Sequence, residues 1–124
     1  MGIEVLYIAI GGAIGAVFRG VICILFEKCY KKKFPLAVFI INVTCCFLYG
    51  ILSKITFRKH YPEELHVALT TGFCGGYSTW STFASQTFKL GKNKEYLIAV
   101  LNVLSNHVVG FFFCWLGQLI GKKI

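Results

Sequence analysis

Apolar residues in this chain fall into four runs, at residues 5–26, 34–53, 65–88 and 96–121, with charged residues gathered between them. Each run is close to the about 20 residues that a helix needs to cross the hydrocarbon core of a bilayer. The first run carries one charge, Arg19, and the second carries none. The third and fourth carry none when His66 and His107 are neutral. The pattern predicts an all-α membrane protein with four transmembrane helices, residues 1–124 forming a single transmembrane domain. The first run lacks a basic start and a small-residue cleavage site, so it reads as a span rather than a removable leader.

Composition agrees with the pattern. Hydrophobic residues make up 56% of the 124 residues. A water-soluble domain of this size has too little interior to bury that share. The net charge of +8 lies mostly in the connections, at Lys28, Lys31, Lys32 and Lys33, at Arg58 and Lys59, at Lys89, Lys92 and Lys94, and at Lys122 and Lys123. Bases flanking spans act as topology signals and lipid headgroup contacts, so nucleic acid is not an expected partner. Five of the six cysteines lie within spans and none has CxxC spacing, which makes them small apolar filler rather than metal ligands.

Four spans put both ends of the chain on one side. The first and third connections then carry seven bases, against five for Lys54, Arg58, Lys59, Lys122 and Lys123. A bias this weak permits insertion in both orientations, and so an antiparallel dual-topology dimer; a single fixed orientation is the alternative. Gly11 and Gly15 form a GxxxG pair beside Gly12 and Ala16, which suits close helix packing, either within one subunit or across a dimer seam.

The polar residues inside the spans carry the chemistry. Arg19 can snorkel or pair structurally, or it can attract an anion. In the third run, Gly75-Gly76 falls near the midpoint and is followed by Ser78, Thr79, Ser81 and Thr82. Adjacent glycines there predict a third helix broken at its centre, against the plainer reading of a packing notch in a continuous helix. Carbonyls freed by a break could coordinate a cation, and the start of the following half-helix favours an anion. Trp80 and Phe83 share a helix face with Ser81 between them, while Asn102, Asn106, Gly110 and Cys114 form one stripe of the last helix. Asn42 is the only amide of the second. No Asp or Glu lies within a span apart from Glu4 at the edge of the first. Amide and hydroxyl donors, electropositive ring edges and one Arg, without a carboxylate, suit a small anion.

Three motifs carry a resemblance to a known family. The stretch Gly11-Gly12-Ala13-Ile14-Gly15-Ala16-Val17-Phe18-Arg19, the position of Asn42 after Phe34-Pro35 and before Gly50, and the run from Gly72 to Phe83 resemble the Fluc (CrcB) family of fluoride channels. The match extends over essentially the whole chain. It implies a passive fluoride channel of the cell membrane, built as an antiparallel dual-topology dimer with two pores. It also implies a structural Na⁺ held by the carbonyls of Gly75 and Ser78. The pore residues it implies are Asn42, Trp80 and Phe83, with Asn102 and Asn106 on the polar track and Ser81 adding a hydroxyl. Trp80 stands where the family pattern has Phe, Ser78 where it has Thr, and Asn102 and Asn106 where it has Tyr and Ser. Such departures leave a heterodimer with a related subunit as an alternative to the homodimer. A proton-coupled exporter of cationic drugs has a similar size and span number, but it needs a carboxylate within the membrane. A non-conducting assembly subunit is the third reading.

Overall fold

The computed structural model describes residues 2–124; the side chains of Phe57 and Arg58, the latter counted above among the bases, lie outside the described residues. Among the described residues three helices are long and apolar enough to cross a membrane: α1 (Gly2–Cys29), α2 (Leu36–Arg58, apolar over Leu36–Thr56) and α6 (Tyr96–Lys123). Between α2 and α6 the chain folds in shorter pieces. These are α3 (Glu63–Val67), a π-helical segment (Ala68–Cys74), α4 (Gly75–Tyr77) and α5 (Trp80–Lys92). The described residues are therefore almost wholly helical, as the hydrophobic pattern predicts.

Local chemistry sets the ends. Pro35 and Pro62 stand immediately before α2 and α3, where a missing N–H costs nothing. Glu63 and Glu64 occupy the first turn of α3, while Lys89 and Lys92 close α5 and Lys122 and Lys123 close α6, each complementing the helix dipole. Lys33 pairs with Glu95 across two connections. Lys94 takes φ 62° in the turn between α5 and α6.

The glycine pair does not interrupt the helical backbone of the third apolar run. Gly75 is helical at φ −65°, ψ −37°. The extended residues come later: Ser78 at φ −79°, ψ 163° and Thr79 at φ −148°, ψ 118°. Gly76 is used for proximity instead. A Cβ on Gly76 would lie 2.2 Å from the Gly12 carbonyl oxygen, and one on Gly15 would lie 2.3 Å from that of Phe73. No side chain fits at those distances. The helix continues through Gly75, which faces open space, and Gly76, whose bare backbone α1 needs, and it stops where a side-chain partner takes over the peptide groups.

These contacts define two seams. α1 lies along the π-helical segment and α4, with Gly11 and Gly15 facing that segment's backbone, so the GxxxG pair packs within the subunit. α2 lies along α6, where a Cβ on Gly50 would be 2.4 Å from the Cys114 carbonyl oxygen and one on Gly117 would be 2.3 Å from that of Phe47. Ile41 and Asn102 are the largest fully buried side chains. The outward faces of α1 and α6 are apolar and exposed, including Val17, Phe18, Leu97 and Phe111, as lipid contact or subunit contact requires.

Candidate functional site

The two extended residues leave peptide groups without helical partners. In an unbroken helix the Thr79 N–H would bond to the Gly75 carbonyl; here it donates to Asn42 Oδ1 at 3.1 Å. Asn42 Nδ2 in turn donates to the Thr79 carbonyl at 3.4 Å. One amide of α2 thus satisfies both peptide groups of Thr79, which is how an extended residue is kept buried. Thr79 then restarts the chain as a helix. Its Oγ1 accepts the Thr82 N–H at 3.2 Å, an N-cap for α5.

Beyond Asn42 the hydrogen bonds continue as a chain across α6. Asn42 Nδ2 donates to Asn106 Oδ1 at 3.3 Å. Asn106 Nδ2 donates to the Asn102 carbonyl at 2.7 Å and to Asn102 Oδ1 at 2.9 Å. Asn102 Nδ2 donates to Thr87 Oγ1 at 2.8 Å. The three amides named from sequence are thus brought together in one ladder from Thr79 to Thr87. Their bonds differ in quality. Those of Asn106 and Asn102 fall within the usual 2.7–3.2 Å range, whereas both bonds from Asn42 Nδ2 are longer. The Asn42 amide protons are the least committed in the ladder.

A cavity of about 470 Å³ opens beside Asn42. Asn106, Ser78, Thr79, Trp80 and Phe83 also line it, while Gly110, Phe111 and Cys114 form an apolar side. The Trp80 and Phe83 rings lie 5.1 Å apart, centre to centre, tilted by 45°. Trp80 is 69% exposed and Phe83 is buried, so the pair spans the cavity from its mouth to its wall. Asn102 is fully buried and lies outside the lining, where it braces Asn106. Ser81 is exposed and also outside the lining, with its Oγ 3.5 Å from Thr79 Oγ1.

Arg19 is half-buried and likewise outside the lining. Its Nη1 donates to the Ser78 carbonyl at 3.3 Å, so it ties α1 to the extended pair. Gly75 is exposed, and the diversion of the Thr79 N–H to Asn42 takes away its carbonyl's ordinary helical donor. A second cleft, of about 660 Å³, is lined by Lys32, Lys33 and Lys89 together with Glu27 and Glu95, the last paired with Lys33, and reaches Thr82 and Gln86.

Sequence reasoning missed Thr79 and Thr87, the two ends of the ladder. Thr79 had a local signal, since a Thr before an apolar run is a helix cap, but its bond to Asn42 joins residues far apart in sequence. It also missed His107, whose ring lies 5.8 Å from that of Phe83. The six cysteines are free, and no group of three His, Cys, Asp or Glu gathers among the described residues.

Residues 6–118 match the model of the CrcB-like protein, Camphor Resistance (CrcB), family. A relative from Hydrogenobaculum sp. (strain Y04AAS1), named "Fluoride-specific ion channel FluC", is 38% identical over 117 residues, covering 94% of this chain and 95% of the relative. One of the same name from Geotalea uraniireducens (strain Rf4) is 35% identical over 121 residues, covering 97% and 98%. "Fluoride-specific ion channel FluC 2" from Clostridium acetobutylicum is 39% identical over 115 residues, covering 93% and 95%.

Proposed function

The chain belongs to the CrcB family, and from that premise we propose that it is a fluoride-selective channel that lets cytoplasmic F⁻ leave the cell passively. It is a multi-pass protein of the cell membrane and not an enzyme. Neutral HF crosses bilayers and ionises inside near neutral pH, which traps fluoride; a pore for F⁻ releases it down its electrochemical gradient.

The observation that carries the reading is the cavity in which the long-bonded Asn42 amide meets the Trp80 and Phe83 rings. A fluoride ion entering the membrane must exchange its hydration shell for fixed donors. Asn42 can turn a weakly held N–H to it, and ring edges add positive potential. Asn106 holds Asn42 from one side, and Asn102 holds Asn106. Asn102 therefore acts on the path through Asn106 rather than by touching the ion. No Asp or Glu lines the cavity, which removes the group that a proton-coupled exporter of cations would need.

The functional unit in this reading is an antiparallel dual-topology homodimer. Its support is the near balance of bases between the two sides and the exposure of Gly75, Trp80 and Ser81 along one stretch of a single chain. A second copy packed there would close the open cavity and bring Ser81 to the path. The exposed Trp80, in place of the family's Phe, keeps a heterodimer with a related subunit as the second reading.

The carbonyls of Gly75 and Ser78 are oxygen donors of the kind a hard cation takes, although the Ser78 carbonyl already accepts from the Arg19 guanidinium at 3.3 Å and has only its second lone pair to offer. Gly75 is exposed with its helical donor diverted, and Ser78 stands in extended backbone. Two carbonyls are too few for a cation, so the site needs the matching pair from a second copy. A Na⁺ held there supplies positive charge that pins two copies together; it is not transported.

The test is fluoride efflux from liposomes containing only this chain. Fluoride should leave and chloride should stay. Equal chloride efflux would overturn the selectivity claim, and efflux that requires a second subunit would favour the heterodimer.

A further inference from the structure

We propose that His107 is an additional anion-contacting residue of the path, one that engages fluoride only when its imidazole is protonated. The inference rests on the channel reading above and adds a residue and a condition to it.

His107 follows Asn106 on α6 and lines the same cavity as Asn42, Trp80 and Phe83. Its ring is set among three others: 6.3 Å from Trp80, 5.8 Å from Phe83 and 6.2 Å from Phe111, all edge-on. The imidazole is therefore held against the two rings assigned to the pore.

The hydrogen bonding fixes which nitrogen matters. His107 Nδ1 lies 2.8 Å from the Val103 carbonyl oxygen. A carbonyl can only accept, so Nδ1 carries a proton in the neutral as well as the charged ring. Nε2 lies across the ring from that bond. In the neutral ring it presents a lone pair, which repels an anion; in the charged ring it presents an N–H and a positive charge, which attract one. The same side chain thus opposes fluoride in one state and binds it in the other.

The other titratable side chains around the cavity are of different types. α2 contributes Cys45, Cys46 and Tyr49, the π-helical segment Cys74, and α6 Cys114; α4 and α5 contribute no titratable side chain to the lining. Arg19 of α1 reaches the Ser78 carbonyl at its edge. Of these side-chain types, imidazole alone ordinarily changes charge between about pH 5 and 8.

The experiment is fluoride current through planar bilayers containing this chain, recorded with the same fluoride on both sides at about pH 5.5 and about pH 8, on either side of the imidazole range. Neutral HF carries no current, so only the ion is counted. Wild-type current should be several-fold larger at the acidic value. His107→Gln and His107→Phe, neither of which can take a proton, should give the same current at both. Phe keeps the ring packing should Gln disturb it. A flat wild-type profile overturns this inference alone and leaves the channel standing. A pH response that persists in either variant also overturns it. Absence of fluoride current from the wild type at both values overturns the channel reading and this inference with it.

Discussion

The two seams of the molecule use the same device and differ in what lies next to it. Both α1 against the π-helical segment and α4, and α2 against α6, bring glycine backbone onto a neighbouring carbonyl, at distances that no Cβ tolerates. Along α1 the seam joins small residues to backbone, and its one cationic group, Arg19, ends on a carbonyl. Along α2 and α6 the seam carries Asn42, Asn106 and Asn102 in a continuous ladder beside a cavity. In lipid there is no hydrophobic drive to hold helices together, so close packing must do so on both sides. The comparison teaches that the first seam is built for shape and the second places donors. Loss of function should follow from either, but by different routes.

The largest effect belongs to the shape seam. Gly76→Val puts side-chain atoms where the Gly12 carbonyl oxygen stands. The strain should reach or exceed the upper end of the about 1–3 kcal/mol that overpacking costs. Folded protein should largely vanish, as size-exclusion chromatography in detergent would reveal. A well-folded variant would mean that the seam is looser than described.

Next comes the donor seam. Asn42→Asp keeps an oxygen for the Thr79 N–H but exchanges the amide donor for a negative charge. Fluoride efflux should fall by about tenfold or more, since ~1.4 kcal/mol is a factor of ten. Thermal unfolding should move far less than in Gly76→Val. Equal damage to folding and flux would erase the distinction between the seams.

Asn102→Leu separates bracing from contact. It removes one of the two acceptors of Asn106 Nδ2, which keeps the carbonyl of residue 102, and the amide donor to Thr87 Oγ1, which keeps its bond to the Phe83 carbonyl, at about 0.5–1.5 kcal/mol per lost hydrogen bond. A lower unfolding temperature should appear together with a smaller loss of efflux than in Asn42→Asp. If the flux loss exceeded that of Asn42→Asp, Asn102 would be a contact residue. The smallest effect should be that of Gly110→Ala, whose Cβ would lie 3.4 Å from Cys46 Sγ, a side-chain atom with room to yield. Stability should change by no more than about 0.5 kcal/mol. Replacing Na⁺ by a large organic cation should lower the unfolding temperature of the assembled protein, in proportion to how strongly the carbonyl site binds.

Much of this fold was written in the hydrophobic pattern. The three long helices follow from runs of apolar residues, and the basic turns follow from where those runs stop. The position of the extended pair was not legible. Gly75-Gly76 suggested a break because glycine favours irregular backbone, but here glycine serves contact with Gly12, and that partner lies about sixty residues away. The break depends on Asn42 meeting Thr79, a bond between distant residues that no local pattern encodes. For the same reason Asn102, Asn106 and Asn42 could be named as pathway residues, while their order and the bracing role of Asn102 required the packing of α2 on α6. Ser81 was named from its place between Trp80 and Phe83, yet a position two residues from the cap turns it outward in the single chain.

The most direct measurement is the reversal potential of the current carried by this chain alone. Fluoride is set at unequal concentrations across a bilayer and chloride at equal ones. The account predicts reversal at the equilibrium potential of fluoride. Reversal at zero, where chloride alone would place it, would contradict the fluoride path through Asn42, Trp80 and Phe83.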